Sequence, residues 1–443
     1  MNSMRYFSVI SGIILLTCTP ILTAARPDAL TTEDDPYKLA GNLRAYPYVE
    51  VAPPPQTPAP QGYVPFHMEH YGRHGSRWLI GKNDYITPML NLEKAEKHGL
   101  LTSLGKKTLE AVRNIQKASV GRLGELSEKG AIQHQAIGRR MAQNFPEIFN
   151  ADADIDAKST VVIRCILSML NSLTGIKEVV PDVQYTTDAS SADMWFMNYN
   201  DKDAYEIKVE AKKTALKQFN DNIDWSDSYL DRLVTDSKFA RDSVKPDLMP
   251  RFFWILANTQ SHTDQPWLLD QIFTTEEMQQ WWASDNADWF INGGNTDVTG
   301  GRIPYVQRNL LGMIIAQTDS AIQSPKPSAR LRYGHDSIVL PLVSLLELGD
   351  YGKCLKSLDD IAPSNWRNYD IVPMGANIQL IFYRKPGDTA GKDILVKAML
   401  NEQEIALPGT PVTGPYYDWN QIRKYYETKL ADFNKKYAHV TVQ

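Results

Sequence analysis

Residues 73–77 read Arg-His-Gly-Ser-Arg, which places a histidine between two arginines directly after an apolar-biased run at 64–71. Imidazole is a competent nucleophile that can carry phosphorus covalently, and guanidinium groups present a planar fork of donors that matches phosphate oxygens. His74, flanked by Arg73 and Arg77, is therefore suited to attack a phosphoryl group. On these five residues alone, a basic cluster on the surface stays open as the alternative.

Two further segments show the same pattern of a strand that leads into a polar loop and then a helix. The β-branched run at 160–163 predicts a strand that ends at Arg164, and the run at 331–333 predicts a strand that leads to His335 and Asp336. In open α/β sheets, ligand-handling residues gather beyond the carboxyl ends of strands, where helix amino termini also favour anions. The three strand ends are therefore expected to converge on one phosphate.

These motifs resemble those of the histidine acid phosphatases, in the branch that contains phytases and multiple inositol polyphosphate phosphatases. The resemblance covers roughly residues 45–430. The segment at 73–77 matches the family's signature, and the distal His-Asp pair matches its second motif. The segment at 124–138 is similar to the one that precedes the family's third active-site arginine, for which Arg164 is the matching position.

The branch within the family is indicated by two other segments. Residues 194–201 and 372–383 are similar to the inositol phosphatases in particular. Two features depart from the family's patterns. Leu79 stands where proline is frequent, and the His-Asp-Ser sequence at 335–337 replaces the His-Ala-Glu that is typical of multiple inositol polyphosphate phosphatases.

The resemblance implies a role for each of the matched residues. His74 is the expected nucleophile and Asp336 the expected proton donor. The phosphate ligands are expected to be Arg73, Arg77, Arg164 and His335. No cofactor and no metal are expected, because the arginines supply the positive charge that a metal would otherwise provide.

The predicted fold is α/β, a three-layer sandwich with a mostly parallel central sheet and an inserted, mostly helical domain. The insertion is indicated by a change of character, because β-branched runs become few and helix signals frequent between the second and third motifs. The predicted divisions are a signal peptide at 1–25, a proline-rich lead-in that serves as a linker at 26–62, a phosphatase core at 63–194 and 321–443, and a helical cap domain at 195–320.

The composition is that of an ordinary globular protein, with 43% hydrophobic and 22% charged residues. A formal net charge of -5 provides no basic field for a nucleic acid, so none is expected as a partner. Beyond the first residues, no apolar run is long enough for a transmembrane span. The expected partner is a small phosphorylated substrate.

The amino terminus has the pattern of a secretory signal, with Arg5, an apolar stretch at 7–16 and small residues up to Ala25. Cleavage after Ala25 predicts a periplasmic or secreted protein. Cys18 offers an alternative, since its surroundings loosely resemble a lipoprotein cleavage box that would leave a lipid anchor on the outer surface. After cleavage at Ala25 only Cys165 and Cys354 remain, and the sequence leaves open whether they form a disulfide.

The sequence indicates the type of reaction more directly than it indicates the substrate. Inositol polyphosphates such as phytate are the expected substrates, and a broad-specificity sugar-phosphate acid phosphatase is the alternative. A non-catalytic surface carbohydrate-binding protein that stacks sugars on Trp281, Trp282 and Trp289 is a more distant alternative. We expect these tryptophans to pack in the core instead. The lysines at 202–217 could line the substrate cleft, but a solvated helix face is the better interpretation.

Overall fold

The computed structural model describes residues 35–49, 51–245 and 251–437. The predicted signal peptide and Cys18 lie outside these residues. Within them, no helix combines the length and the apolar character that a membrane crossing requires.

Eight strands of the described residues form one sheet, and the half that carries the sequence motifs is parallel. The order is β3-β2-β4-β1-β5-β6-β7, with β8 beside β6; β3, β2, β4 and β1 are parallel, and the strands from β5 onwards join antiparallel. The predicted α/β fold with parallel core strands is confirmed, and its antiparallel half was not foreseen. The strands are β1 (Val64–Arg73), β2 (Asp154–Ser159), β3 (Thr186–Asp188), β4 (Ser328–Gly334), β5 (Asn377–Arg384), β6 (Leu395–Leu400), β7 (Gln403–Ile405) and β8 (Tyr417–Asp418).

Helices account for most of the rest of the described chain. A 3-10 helix at Pro36–Leu43 precedes β1. The α-helices are α1 (Lys82–Lys97), α2 (Ser103–Ala118), α3 (Glu128–Asn144), α4 (Ile163–Val179), α5 (Met194–Met197), α6 (Lys202–Ala211), α7 (Lys217–Asp221), α8 (Tyr229–Leu233), α9 (Ser237–Phe239), α10 (Arg251–Ala257), α11 (Leu269–Ile272), α12 (Thr275–Gly293), α13 (Arg308–Gln323), α14 (Asp336–Leu345), α15 (Asn368–Ile371) and α16 (Trp419–Lys436).

The side chains of β5 alternate between two apolar cores, one on each face of the sheet. Ile378, Leu380 and Phe382 pack with α12, α13, α14 and α16. Ile381 and Tyr383 point to the other face and pack with α3 and α4. A strand whose two faces are both covered requires apolar residues at successive positions, and this places the sheet between two helical layers.

A third core is built mainly from helices and contains no residue of the eight strands. Between the end of β3 and the start of β4, the described residues form helices and turns and no strand longer than an isolated bridge. Helices α8, α10 and α11 share this helical core with α1 and α2, which precede β2 in the chain. The division into a core and a cap domain at 195–320 stays a prediction, but the helical packing draws on residues outside that range.

The beginning of the chain is more than a linker where the structure describes it. Leu39 and Leu43, in the 3-10 helix, are buried in the helical core. The described residues between Leu43 and β1 form no helix or strand, and among them the proline-rich stretch at 51–60 has the composition of a stiff lead-in. Tyr46 is also buried, and its hydroxyl donates to Glu402 Oε2 at 2.7 Å. The lead-in therefore contributes to the folded body, which the sequence did not reveal.

Helices α3 and α4 cross at close range because each presents a glycine to the other. A Cβ atom on Gly138 would lie 2.0 Å from the carbonyl oxygen of Ser172, and one on Gly175 would lie 2.0 Å from that of Gln135. Ser127 caps α3 by accepting a hydrogen bond from the Gly130 amide at 3.2 Å, the usual role of a serine at this position. The crossing fixes the position of the amino terminus of α4, which carries Arg164.

We expect Gly138→Ala to destabilise the protein by about 1 to 3 kcal/mol, because the added methyl group overpacks the crossing. Gly312→Ala is the matched control, since nothing lies within 4 Å of a Cβ at this position inside α13. It is expected to stabilise the helix by about 0.5 to 1 kcal/mol. Urea denaturation measures both, and effects of the same sign would contradict the packing described.

Candidate active site

Two of the three predicted strand ends, those of β1 and β4, bring motif residues together at one edge of the sheet. In the parallel register between β1 and β4, Arg73 lies opposite Gly334, so that His74 and His335 follow at the same edge of the sheet. The His74 amide donates to the Gly334 carbonyl at 2.9 Å. The imidazole rings of the two histidines lie with their centroids 5.9 Å apart and nearly perpendicular.

The third segment differs from its prediction. The strand here is Asp154–Ser159 and not 160–163, and Arg164 lies in the first turn of α4. The reason is the length of β4, whose pairing with β2 ends at Ser159 opposite Tyr333. Of the β-branched residues that follow, Thr160 still donates its amide to the Tyr333 carbonyl at 3.0 Å, but residues 161–162 form the connection and Ile163 is the first residue of α4. Arg164 nevertheless reaches the same site, where it lowers the pKa of His74.

His74 is buried and held in one tautomer. Its Nδ1 lies 2.9 Å from the carbonyl oxygen of Gly75, which can only accept, so Nδ1 carries the proton and Nε2 keeps its lone pair. Burial lowers the pKa of His74 well below its ordinary value, and the charges of Arg73, Arg77 and Arg164 lower it further. A neutral imidazole with a free Nε2 is the nucleophilic form.

Arg73 is completely buried, and both of its terminal nitrogens contact other residues, whereas its Nε has no hydrogen-bond partner among the described residues. Its Nη1 donates to the carbonyl oxygens of Asn42 and Val372, both at 2.6 Å, and its Nη2 lies 2.6 Å from Asp336 Oδ2. Burial lowers the pKa of Arg73, and the Asp336 carboxylate opposes that effect. A buried guanidinium requires such partners, because an unpaired one would be very costly.

Asp336 is the first residue of α14, and its side chain is 16% exposed. Its Oδ1 accepts from the Ser337 amide at 2.8 Å, and its Oδ2 accepts from Asn42 Nδ2 at 3.3 Å. Burial would raise the pKa of Asp336, but Arg73 and Arg77 outweigh burial and lower it. The carboxyl group is therefore held in its ionised form by the arginines around it.

His335 is the residue before α14, and its ring is held by the loop that follows β2. Its Nε2 lies 3.2 Å from Thr160 Oγ1, and Cys165 Sγ lies 3.8 Å from its Nδ1. Burial lowers the pKa of His335 to about 4, and Arg164 adds to the effect. Cys165 is a buried free thiol and Cys354 is an exposed one, so the two do not form a disulfide.

Arg77 and Arg164 each have guanidinium N–H donors that make no hydrogen bond within the described residues. Arg77 Nη1 donates to the carbonyl of Trp78 at 3.0 Å, and Arg164 Nη1 donates to that of Gly124 at 3.4 Å. Both Nε atoms are buried and find no hydrogen-bond partner among the described residues. Unused guanidinium donors next to the amino termini of α4 and α14 make a site that favours an anion.

Two polar side chains that the sequence analysis did not single out hold the signature loop. Gln133 accepts from the Ser76 amide at 2.8 Å and donates to the Ser76 hydroxyl at 3.0 Å. Ser168 Oγ accepts from the Gly75 amide at 3.1 Å. Gln133 lies in the segment at 124–138, so the resemblance of that segment was a signal for it.

The three tryptophans considered above pack against apolar cores, and one lysine of the run at 202–217 forms an ion pair. Trp281 and Trp282 pack against the helical core, and Trp289 packs against the core on the α12 face of the sheet. Within the lysine run, Lys212 pairs with Asp288 at 2.7 Å. The tryptophans therefore contribute to packing, and Lys212 contributes to local charge balance.

The sequence also matches a known family over most of its length. Residues 72–401 match the family described as the histidine phosphatase superfamily, branch 2. The chain belongs to this superfamily. As a branch 2 histidine phosphatase it is a phosphomonoesterase, and the resemblance inferred from its motifs is confirmed.

This histidine phosphatase is similar in sequence to one relative and in fold to several solved structures. It is 20% identical to multiple inositol polyphosphate phosphatase 1 of Gallus gallus over 385 residues, 84% of either chain. The structure of the Bifidobacterium longum multiple inositol polyphosphate phosphatase with inositol hexasulfate has a TM-score of 0.72 at 19% identity, covering 88% of this chain and 97% of that one. The D. castellii phytase has a TM-score of 0.65 at 16% identity, covering 94% and 91%.

Proposed function

We propose that this phosphatase hydrolyses inositol polyphosphates such as phytate through a phosphohistidine intermediate on His74. The observation that carries the proposal is the neutral, buried imidazole of His74, which keeps Nε2 free among three arginines. The substrate class is supported by relatives named for inositol polyphosphates and phytate. It is also supported by the resemblance of the sequences at 194–201 and 372–383 to the inositol phosphatases.

In the first step, His74 Nε2 attacks phosphorus in line and the bond to the leaving oxygen breaks. Arg73, Arg77 and Arg164, together with His335, hold the non-bridging oxygens while negative charge spreads over them. The Nε donors of Arg77 and Arg164 that are unused in the structure are available for this contact. Bidentate arginine contacts also fix the orientation of the phosphoryl group.

Asp336 is the proposed proton donor to the leaving alkoxide. The arginines lower its pKa, so the acid form requires another change in the local charge. A bound phosphate dianion provides it, because negative charge beside a carboxylate raises the carboxylate's pKa. In the second step the Asp336 carboxylate accepts a proton from water as the water oxygen attacks the phosphohistidine, and inorganic phosphate leaves.

Substrate class is tested by phosphate release from phytate and from glucose 1-phosphate, with and without a chelator. We expect the kcat/KM for phytate to exceed that for glucose 1-phosphate, and the rates to survive the chelator because arginines carry the charge stabilisation. A phytate rate far below that of glucose 1-phosphate would reassign the enzyme to sugar phosphates. Loss of activity in the chelator would overturn the arginine-based mechanism.

Asp336→Asn is expected to lower kcat for phytate by about 100- to 10,000-fold, the usual contribution of a general acid. The loss should be much smaller with p-nitrophenyl phosphate, whose leaving group departs without a proton. In the unaltered enzyme, activity falls as pH rises and the donor ionises. The descending limb should lie at higher pH for kcat than for kcat/KM, because bound phosphate raises the pKa of Asp336. Equal losses on both substrates would contradict the proton-donor role.

Export is part of the same proposal and is supported by the signal-like sequence of residues 1–25. Cleavage after Ala25 predicts that the exported protein begins at Arg26, which amino-terminal sequencing or mass spectrometry determines. A mature chain that begins at a lipid-modified Cys18 would instead support the anchored alternative.

A further inference from the structure

A cavity of about 370 Å³ lies against one of the candidate phosphate ligands. This volume falls within the range of roughly 300 to 1,000 Å³ that is typical of small-ligand pockets. Besides Arg77, no residue that lines it has a part in the proposed reaction. The lining residues are Leu43, Arg77, Leu79, Ile80, Asp84, Arg251 and Trp254.

Helix α10 buries one face in the helical core, and this places two side chains of its other face at the cavity. Phe252, Phe253 and Ile255 are buried in the helical core. Arg251 and Trp254 are three residues apart, lie on the same side of the helix and both line the cavity. The packing of α10 therefore holds a cationic and an aromatic side chain over the space next to Arg77.

Arg251 is paired with a carboxylate that already has another partner. Arg251 Nη1 lies 2.5 Å from Asp84 Oδ1, and Asp84 Oδ2 accepts from the Gly81 amide at 3.1 Å, at the start of α1. The Arg251 side chain is 42% exposed and that of Asp84 26%. Exposed ion pairs contribute little stability, so a more highly charged anion can replace Asp84 at Arg251.

We infer that Arg251 binds a second phosphate group of the same substrate molecule while Arg77 holds the phosphate that is transferred. This inference rests on the proposed function, because only a substrate with several phosphates has a second group to offer. The two arginines of the cavity outnumber its one carboxylate, which favours a polyanion. Trp254, which is partly exposed, offers apolar surface to the C–H face of a cyclitol ring. Arg251 is thus a specificity-determining residue.

The test compares kcat/KM for phytate and for glucose 1-phosphate in the unaltered enzyme and in Arg251→Gln. We expect the ratio of the two to fall roughly 10- to 100-fold in the variant, the value of one charge-assisted hydrogen bond, through a higher KM for phytate. Arg251→Lys keeps the charge and should recover part of the ratio. Asp84→Asn keeps an acceptor for the Gly81 amide but removes the competing charge, and should lower the KM for phytate.

Arg139→Gln is the matched control, because Arg139 is 41% exposed and pairs with Glu178 on the surface of α3 and α4. It should leave both substrates unaffected. An unchanged ratio in Arg251→Gln, or equal losses on both substrates that Arg251→Lys does not reverse, overturns the inference and leaves the proposed function intact. Failure of the unaltered enzyme to hydrolyse phytate overturns the proposed function itself.

Discussion

The buried ion pair between Arg73 and Asp336 is the contact on which the rest of the site depends. It joins the last residue of β1 to the first residue of α14, with 2.6 Å between Arg73 Nη2 and Asp336 Oδ2. Removing Asp336 would leave the fully buried guanidinium of Arg73 without its carboxylate partner, and breaking a buried pair in this way typically costs about 3 to 5 kcal/mol. The carbonyl oxygens of Asn42 and Val372 accept from the other terminal nitrogen of Arg73, so parts of the chain that are distant in sequence are fixed around one guanidinium.

The charge balance of the site explains why it suits a phosphoryl group. The three guanidinium groups of Arg73, Arg77 and Arg164 outnumber the carboxylate of Asp336 that faces them, which leaves an excess of positive charge in a buried place. That excess lowers the pKa of His74 and His335, although burial is the larger cause. The same field that keeps His74 a neutral nucleophile also attracts the anion it attacks. A bound phosphate relieves the excess and allows Asp336 to hold a proton.

Much of this arrangement could be predicted from the sequence. Parallel strands end at one edge of a sheet, so the segments after β1 and β4 had to meet, and His74, His335 and Asp336 are found together there. The prediction of a strand at 160–163 was wrong, because β-branched residues favour extended backbone but do not determine where the pairing between two strands ends. Pairing with β4 determines it, and that pairing is a property of another part of the chain.

The contributions of Asn42 and Val372 could not be predicted for a different reason. Each gives Arg73 a main-chain carbonyl oxygen, which every residue type possesses, so the sequence carries no sign of it. The lead-in seemed to be a linker because its prolines dominate its composition, whereas its buried 3-10 helix at Pro36–Leu43 is short. The cavity beside Arg77 likewise depends on how α10 packs against α1, a non-local contact.

The central claim is that the imidazole of His74 carries the phosphoryl group during turnover. Quenching the enzyme in alkali within milliseconds of mixing with phytate preserves phosphohistidine, and tandem mass spectrometry then locates the phosphate. The account predicts phosphate on Nε2 of His74 and no labelled peptide in His74→Ala, with His98→Ala, a change at an exposed histidine, labelled as in the unaltered enzyme. Phosphate on another residue, or rapid turnover by His74→Ala, would contradict it.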